Sequence, residues 1–557
     1  MVLILLSWAV LFCFFFANGV AVNSVLKLKS AHTSFLILFG MAFQTLLLTS
    51  CAFFVPLGFG LFAANFALSG FGAYVFRNQL FEQWKQFKLE LQSLTKISKM
   101  MLGLIVFSAL LKCAQSPFIF DNECYYVQTI KWLNEYGFVN GLGNLNLLFG
   151  QNSGWHILQA GFNFGFITDR INDLNGFLLI VLSLFFISRF DDGLKNGRFE
   201  WIGFVILFNV LLFQFINSPS PDLPLILISQ FVFYLFLKKN KQFEDVKIYS
   251  LLIVFMIFIK ISIFPIVLLA LYDSIRFRKN LIFLGITGFL FGFLWIAKNS
   301  ILTGYPLFPV NILALNVDWR VSENVLSFMN DIIKNHEFLH IKGYSKLGFL
   351  DKFLIWIQLG GINSIFNKGI ILLFVLGLFT RKFKQQSNYR ILYFVLLVHF
   401  IFLLVCSPQF RFFLADFVFL SALLVSDVFE KMNVKPKFVQ AMLLSAVVMP
   451  LFVVYLLDLK NLTENRFNQN PETVKLSMIY LLENNSKFSE IRSVQHQIGN
   501  LNYYSPDGSL HPNISANGPL PCTNNKIIIY FETRYKVIPQ LRTQNLKDGF
   551  YSAKKKD

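Results

Sequence analysis

The sequence is poor in charged side chains, since Lys, Arg, Asp and Glu together make up only 14% of its 557 residues. A soluble globular domain usually carries about 25% of such residues. Hydrophobic residues account for 55% of the chain, and 69 residues are Phe. They form continuous stretches of the length that crosses a bilayer as a helix, without the alternation of a membrane barrel. This composition excludes a soluble protein and predicts a membrane protein built from helices.

Cysteine is also scarce, with six residues in the chain. No CxxC pair or other zinc-ligand spacing is present, so the sequence indicates neither a metal site nor a disulfide framework. Acidic residues number 31 against 49 Lys and Arg. The basic residues lie in short loops between apolar stretches, as the positive-inside rule predicts. Because no basic stripe with interleaved aromatic residues stands in a soluble segment, nucleic acid is not an expected partner.

The apolar stretches predict an all-α polytopic membrane protein with about 12–14 transmembrane helices over residues 1–457. Basic loops alternate along the chain, and this alternation makes 119–172 the first large outer loop and 299–350 a long outer loop. Residues 458–557 are more polar and are predicted to form a small extracytoplasmic α+β domain. Within it, the pattern indicates a helix over 472–487 and a strand over Lys526–Phe531.

Ionisable residues at the outer ends of the predicted spans are the candidates for chemistry. Such groups are costly at this depth and by default suggest a functional site. The set comprises Asp121, Glu123, Asp222, Lys260, Lys298 and Arg411. In one cavity, the cations would hold a phosphate group and a carboxylate would take a proton from a hydroxyl group.

Structural explanations for these residues stay open. Glu123 is also suited to capping an interfacial helix, and Asp222 lies in a Ser-Pro-Ser-Pro-Asp turn where Asp is favoured. Arg411 is suited to interfacial anchoring, and Lys260 and Lys298 to snorkelling from span ends.

Tyr305 lies in the segment Thr303–Pro309, which is rich in Pro and aromatic residues and would shape a groove for a lipid or a sugar. The alternative is an ordinary loop braced by proline. His156 stands beside Trp155 in the first outer loop, and a lone His of this kind is more often a core or interface residue than a ligand.

Four motifs resemble those of the GT-C class of integral membrane glycosyltransferases, which includes protein O-mannosyltransferases and lipid A aminoarabinose transferases. The likeness covers most of the chain, although each motif is short. The motifs are Asp121-Asn122-Glu123 before an amphipathic segment, Ser218–Asp222, Lys298–Pro309, and the Pro408-x-x-Arg411 turn.

The chain is similar, more narrowly, to poorly characterised bacterial multi-spanning proteins near the GT-C class. Three segments carry this closer likeness: Gly141–Leu145, Asn152–Trp155 and Leu520–Thr523. It implies a bacterial plasma (inner) membrane as the location.

The resemblance to the GT-C class implies a polyprenyl-phosphate-linked sugar as donor and inversion at the anomeric carbon. Asp121 matches the catalytic acid position best, and Glu123 is offset from it by two residues. Many members carry His soon after the acidic motif, whereas Tyr125 and Tyr126 stand here. We therefore expect no obligatory metal, although a divalent metal is compatible with the class. The acceptor is an unidentified glycan, lipid or protein.

Two other functions are compatible with the sequence. One is a transporter or flippase for a lipid-linked glycan, which often has repeated halves and helices broken at mid-membrane. The other is a membrane assembly protein whose outer tail binds a partner.

Overall fold

The computed structural model describes residues 1–30, 32–117, 119–171, 173–455, 474–508 and 510–555. Helices dominate it from the start of the chain. The first nine are α1 (Val2–Val25), α2 (Thr33–Ala52), α3 (Phe59–Val75), α4 (Arg77–Ser93), α5 (Lys96–Cys113), α6 (Val127–Glu135), α7 (Leu142–Leu145), α8 (Gly154–Gly161) and α9 (Leu174–Lys195). A π-helix over Asn122–Tyr126 leads directly into α6.

The second part of the chain continues in the same manner. Its helices are α10 (Asn209–Leu212), α11 (Asp222–Leu237), α12 (Phe243–Ile259), α13 (Val267–Arg276), α14 (Lys279–Thr303), α15 (Glu323–Lys334), α16 (Phe349–Gln358), α17 (Gly361–Gly377), α18 (Arg381–Gln385), α19 (Ser387–Cys406), α20 (Leu414–Lys431) and α21 (Pro436–Tyr455). Short 3₁₀ segments extend several of them, notably Trp201–Phe208 before α10, Ile261–Ile266 before α13 and Phe410–Phe413 before α20.

Seven of the described helices are long and apolar enough to cross a membrane, or up to nine if each of two sharply bent pairs is one span. The bent pairs are α3 with α4, at 88°, and α16 with α17, at 114°. The all-α polytopic fold predicted from the sequence is thereby confirmed. The predicted number of spans is higher because it included apolar segments that are short here, such as Trp201–Phe215 and Asp222–Leu237.

Helices α1 and α2 pack closely because two glycines face the opposite backbone. A Cβ atom on Gly19 would lie 1.7 Å from the carbonyl oxygen of Leu36, and one on Gly40 would lie 2.0 Å from that of Phe15. Small residues permit this close approach between membrane helices, where van der Waals packing drives association.

Contacts between helix ends define two opposite faces of the bundle. On one face, Ala52 O accepts from Phe138 N and Ala114 O accepts from Glu483 N. This face, named the loop face, therefore carries both the 119–171 segment and the C-terminal region.

The opposite face, named the basic face, joins other helix ends. There the carboxylate of Asp191 accepts from the Thr95 backbone N–H at 2.8 Å, and Ser426 donates to the carbonyl oxygen of Phe199. Many Lys and Arg residues collect on this face: Lys27, Lys29, Lys195, Arg198, Lys238, Lys239, Lys241, Arg276, Arg278, Arg381, Lys382 and Lys431.

The C-terminal region is a small α+β unit, as predicted. Strands β1 (Ser493–Ile498) and β2 (Leu501–Pro506) form one antiparallel pair, and β3 (Val537–Leu541) and β4 (Phe550–Lys554) form another. Helix α22 (Asn525–Tyr535) precedes β3. The predicted boundary at residue 458 lies outside the described residues.

Two local predictions for this unit were wrong. The segment Lys526–Phe531 belongs to α22 and not to a strand, because the side chain of Asn524 accepts from the Lys526 backbone N–H at 3.0 Å and caps the helix. Residues 472 and 473 of the predicted 472–487 helix lie outside the described residues. The rest of that segment has only the 3₁₀ turn Leu476–Ile479.

Candidate functional site

Four of the seven sequence-predicted residues meet in one cluster on the loop face, named here the charged cluster: Asp121, Asp222, Lys260 and Arg411. A guanidinium NH1 of Arg411 lies 2.6 Å from Asp121 Oδ2 and 3.8 Å from Asp222 Oδ2. Lys260 Nζ lies 2.5 Å from Asp222 Oδ1. The charges therefore alternate along a chain of contacts, Asp121–Arg411–Asp222–Lys260, with each cation touching a carboxylate.

Each member of the charged cluster stands where a helix begins or ends. Asp121 directly precedes the π-helix, and Asp222 is the first residue of α11. Lys260 follows the last residue of α12 in an extended conformation, with φ −157° and ψ 120°. Arg411 lies in the 3₁₀ turn before α20. Four separate element ends, brought together by the bundle, therefore supply the four charges.

An aromatic ring supports both cations. Lys260 Nζ lies 3.6 Å from the centre of the Phe412 ring, and the Arg411 guanidinium carbon lies 5.2 Å from it. Cation–π attraction is strongest where the cation is withdrawn from water. The Gln409 side chain accepts from Arg411 Nε at 3.0 Å and fixes the guanidinium plane.

The charged cluster is unequally exposed. The side chain of Asp222 is only 3% exposed, whereas those of Asp121, Lys260 and Arg411 are 22%, 23% and 26% exposed. Burial acts to raise the pKa of Asp121, but the Arg411 charge and hydrogen bond outweigh it and hold the pKa below its usual value. Asp121 is therefore an ionised and reachable carboxylate, with Asp222 behind it.

Glu123 lies apart from the charged cluster, although it is only two residues from Asp121. Its carboxylate accepts from Ser486 Oγ, from Asn122 Nδ2 at 3.0 Å and from the Lys487 backbone N–H at 3.0 Å. Burial raises its pKa, against these hydrogen bonds. Glu123 thus joins the π-helix to the C-terminal region.

Lys298 and Tyr305 also lie apart from the charged cluster. The buried ammonium group of Lys298 donates to the carbonyl oxygen of Asn152. The hydroxyl group of Tyr305 donates to the carbonyl oxygen of Val321 at 3.1 Å, and its side chain is almost fully buried. Tyr305 therefore braces the loop after α14.

His156 lies near Lys298 and near the charged cluster, because the charges of Lys298, Asp121 and Lys260 all act on its pKa. Burial, followed by the charge of Lys298, lowers its pKa to about 3, so the ring is neutral at physiological pH. Its Nδ1 accepts from the Ser153 N–H at 3.4 Å, which leaves the proton on Nε2. Among the described residues this buried Nε2–H has no hydrogen-bond partner.

Two further groups near Asp121 were not predicted as site residues from the sequence. Tyr126 packs with its ring centre 4.6 Å from that of His156, and its titration is influenced by Asp121 and Arg411. His336, from the long loop after α14, is among the charges that lower the pKa of Asp121. The sequence offers no local signal for His336, since 215 positions separate it from Asp121.

A cavity of about 230 Å³ reaches the turn that carries Arg411. Pro408 forms part of its wall, and two basic residues, Lys334 and Lys352, line it together with aromatic rings. The Trp356 indole N–H donates to the carbonyl oxygen of Pro408 at 2.7 Å, which ties α16 to this turn. The cavity combines cations with an apolar wall, and it touches the chain three residues before Arg411.

Within the described ranges, no three His, Cys, Asp or Glu side chains are grouped closely enough to hold a metal ion. Asp121 and Asp222 each contact a cation of the protein instead.

The long apolar helices define the chain as an integral membrane protein that crosses the membrane several times. A family model described as "Domain of unknown function (DUF8201)" matches residues 1–419. The chain belongs to that family. The match includes all four residues of the charged cluster and ends before the C-terminal region. No curated protein and no solved structure matches the chain.

Proposed function

We propose that the protein is a membrane glycosyltransferase of the GT-C class. It transfers a sugar from a polyprenyl-phosphate-linked donor to an acceptor on the outer side of a bacterial plasma membrane. The observation that supports this most is the charged cluster, in which a reachable carboxylate lies 2.6 Å from an arginine at the ends of apolar helices. A base and an anion-binding group side by side are what this reaction requires.

Asp121 is the proposed general base. An acceptor hydroxyl has a high pKa, so its attack on the anomeric carbon benefits from a positioned carboxylate. The Arg411 charge keeps Asp121 ionised, and its partial exposure lets a hydroxyl group reach it. In the reaction the acceptor oxygen forms the new bond to the anomeric carbon, Asp121 takes the proton, and the bond to the lipid phosphate breaks with inversion.

Arg411 and Lys260 are the proposed partners of the departing phosphate. A phosphate that binds Arg411 competes with Asp121 for the same guanidinium, and a weaker ion pair makes the carboxylate more basic. Donor binding would thus activate the base. Asp222 is the buried anchor that keeps both cations at the site, at 2.5 Å from Lys260 and 3.8 Å from Arg411.

The cavity beside Pro408 is the proposed route of the polyprenyl chain. Lys334 and Lys352 suit the phosphate, and the wall contributed by Phe349, Leu404 and Val405 suits an isoprenoid chain. Phe349 is well exposed at the bundle surface, as are Leu350 and Leu354 on the same helix. The cavity therefore has an apolar border that a lipid could cross.

His156 supports the binding of a polar ligand near Asp121. A buried N–H group without a partner is costly, and a sugar hydroxyl or phosphate oxygen would satisfy it. We propose this donor as a contact to the transferred sugar. The proposed reaction has no obligatory metal or other cofactor.

The loop face is proposed to be extracytoplasmic, with the C-terminal domain on that side. The positive-inside rule supports this orientation, because Lys and Arg collect in the short loops of the basic face.

A transfer assay tests the proposal. The purified protein is incubated with a polyprenyl-phosphate-linked sugar, and release of the polyprenyl phosphate is followed by chromatography. Asp121→Asn should lower the turnover by about 10²–10⁴, the usual cost of losing a general base. Asp169→Asn, an exposed carboxylate in the same loop, is the matched control and should retain turnover. Equal turnover in Asp121→Asn and wild type would remove Asp121 as the base.

A lipid transporter is the second candidate, and two observations favour it. His399 Nδ1 lies 2.8 Å from Asp416 Oδ2, and both side chains are fully buried between apolar helices. The helical path is also broken at Lys260, after α12. Buried ionisable pairs and broken helices are typical of transporters. Movement of a labelled lipid-linked glycan across proteoliposomes, without sugar release, would favour this function over transfer.

A further inference from the structure

A second polar cavity lies on the basic face, at the far end of the helices that carry the charged cluster. Helix α11 runs from Asp222 to this cavity, and α12 returns from it to Lys260. With a rise of about 1.5 Å per residue, the 16 residues of α11 separate the two places by about 24 Å. The cavity, named the basic-face pocket, has a volume of about 470 Å³. It is therefore distinct from the site proposed for glycosyl transfer.

The basic-face pocket is built from the ends of four elements. Lys29 and His32 come from the loop between α1 and α2, and Arg189 comes from the last turns of α9. Lys238 follows α11, and Asp245 belongs to the first turn of α12. Such a volume falls within the range of small-molecule sites, about 300–1,000 Å³.

His32 offers this pocket a hydrogen-bond donor. Its Nδ1 accepts from the Ser34 backbone N–H at 3.3 Å and caps α2, so the ring proton of the neutral form lies on Nε2. Burial, followed by the charge of Arg189, lowers the pKa of His32 to about 3 and keeps the ring neutral. Throughout the described part of the chain, the buried Nε2–H finds no hydrogen-bond partner. Because this group only donates, the missing partner is an acceptor.

Arg189 adds a positive charge beside the same donor. Its Nε is also buried and has no hydrogen-bond partner among the described residues. The guanidinium lies against the Phe185 ring, 5.3 Å from its centre, and one NH1 is 3.4 Å from Asp192. A guanidinium has five N–H donors, so the contact with Asp192 leaves Nε–H without an acceptor among the described residues, as Nε2–H of His32 is.

The two acidic residues that line the basic-face pocket, Glu244 and Asp245, each already contact a lysine. Glu244 lies 2.6 Å from Lys29, and Asp245 lies 3.0 Å from Lys238. Both lysines are largely exposed and can turn towards a ligand. The group best suited to several N–H donors and flexible cations is a tetrahedral anion with several acceptor oxygens.

We propose that the basic-face pocket binds a phosphate group through His32 and Arg189. The phosphate belongs either to a phospholipid headgroup or to a soluble compound, since the pocket lies at the level where basic loops leave the membrane. Both sources present the same oxygens to the same donors. The proposal does not depend on the glycosyltransferase function.

Two binding measurements on the full-length protein test the proposal and distinguish the sources. The protein is purified in phosphate-free, uncharged detergent and titrated with inorganic phosphate by calorimetry. In parallel, native mass spectrometry counts phosphatidylglycerol retained from mixed micelles, with a phosphate-free galactolipid as comparison. Saturable binding of inorganic phosphate indicates a soluble source, and selective retention of one phosphatidylglycerol indicates a headgroup.

Three single-residue variants test whether the bound phosphate group contacts His32 and Arg189. Arg189→Gln should weaken whichever probe binds by at least about tenfold, as expected for a lost charge-assisted hydrogen bond. His32→Asn should also weaken it, while its side chain can still cap α2. Arg198→Gln, an exposed arginine on the same face, should leave binding unchanged. If neither probe binds the wild type selectively, or if Arg198→Gln loses binding as Arg189→Gln does, the proposal is wrong.

Discussion

Replacing Asp222 by asparagine tests the charged cluster at its least exposed member. The amide retains the shape of the side chain but removes its negative charge. Lys260, at 2.5 Å, loses its ion-pair partner, and Arg411 keeps only Asp121. The turn before α11 should persist, because prolines at 219 and 221 restrict its backbone regardless of the charge.

The expected loss of stability follows from these contacts. Breaking a buried ion pair costs about 3–5 kcal/mol when the remaining charge is left uncompensated. Here Lys260 is 23% exposed and keeps the Phe412 ring at 3.6 Å. The asparagine oxygen can also still accept a hydrogen bond. We therefore expect the free energy of unfolding to fall by about 2–4 kcal/mol, while the protein continues to accumulate in the membrane.

Unfolding by sodium dodecyl sulfate in mixed micelles, followed by tryptophan fluorescence, measures this difference. Asp318→Asn is the matched control, since it weakens the 2.7 Å contact with Arg542 at the protein surface, where the Asp318 side chain is 57% exposed. That change should cost about 0–1 kcal/mol. Equal losses in the two variants would refute the reasoning from burial. Failure of Asp222→Asn to accumulate would make Asp222 structural and remove it from the functional site.

Three further predictions concern neighbouring features. Glu123→Gln should leave turnover within a few-fold of wild type. It should weaken docking of the C-terminal domain by about 1–3 kcal/mol, which hydrogen exchange would detect as faster exchange around Ser486. An inactive Glu123→Gln variant together with an active Asp121→Asn variant would mean that Glu123, not Asp121, is the base. Because Arg411 lowers the pKa of Asp121 in the folded protein, their ion pair stabilises the fold at pH values above the usual pKa of an Asp side chain. This stabilisation is lost as the pH falls through the lowered pKa. Without the charge of Arg411 the pKa of Asp121 should rise, so Arg411→Gln should move the acid limb of the pH–activity profile in the transfer assay to higher pH. An acid limb that does not move would contradict the pairing of Arg411 with Asp121. A reporter active only in the cytoplasm should be inactive when fused after Asp557, and activity would reverse the proposed topology.

The charged cluster was predictable because its members share one local property. Asp121, Asp222, Lys260 and Arg411 each stand at the end of an apolar stretch, and the alternation of basic loops assigns these ends to one side. The sequence pattern thus brought them to one face, and the bundle joined them. Whether they carry out the proposed chemistry stays a prediction.

The placements of Glu123, Lys298 and Tyr305 were not predictable in this way. Each is satisfied by a partner distant in sequence: Ser486, Asn152 and Val321, respectively. A hydrogen bond across such separations depends on tertiary packing, and no local pattern encodes it. In α22, by contrast, a local signal was available, because Asn524 is a good N-cap residue before the run of isoleucines.

The hydrogen bond between Glu123 and Ser486 also has a consequence for the order of assembly. Its two residues are 363 positions apart. At roughly 5–20 residues per second, synthesis of that interval takes roughly 20–70 s. During this time the carboxylate of Glu123 lacks the Ser486 and Lys487 donors, and the π-helix beside Asp121 lacks its final support. The 119–171 segment is therefore completed only after the segment that carries Ser486 has reached the same face, so a ribosome that stalls before Ser486 leaves the π-helix beside Asp121 without this hydrogen bond.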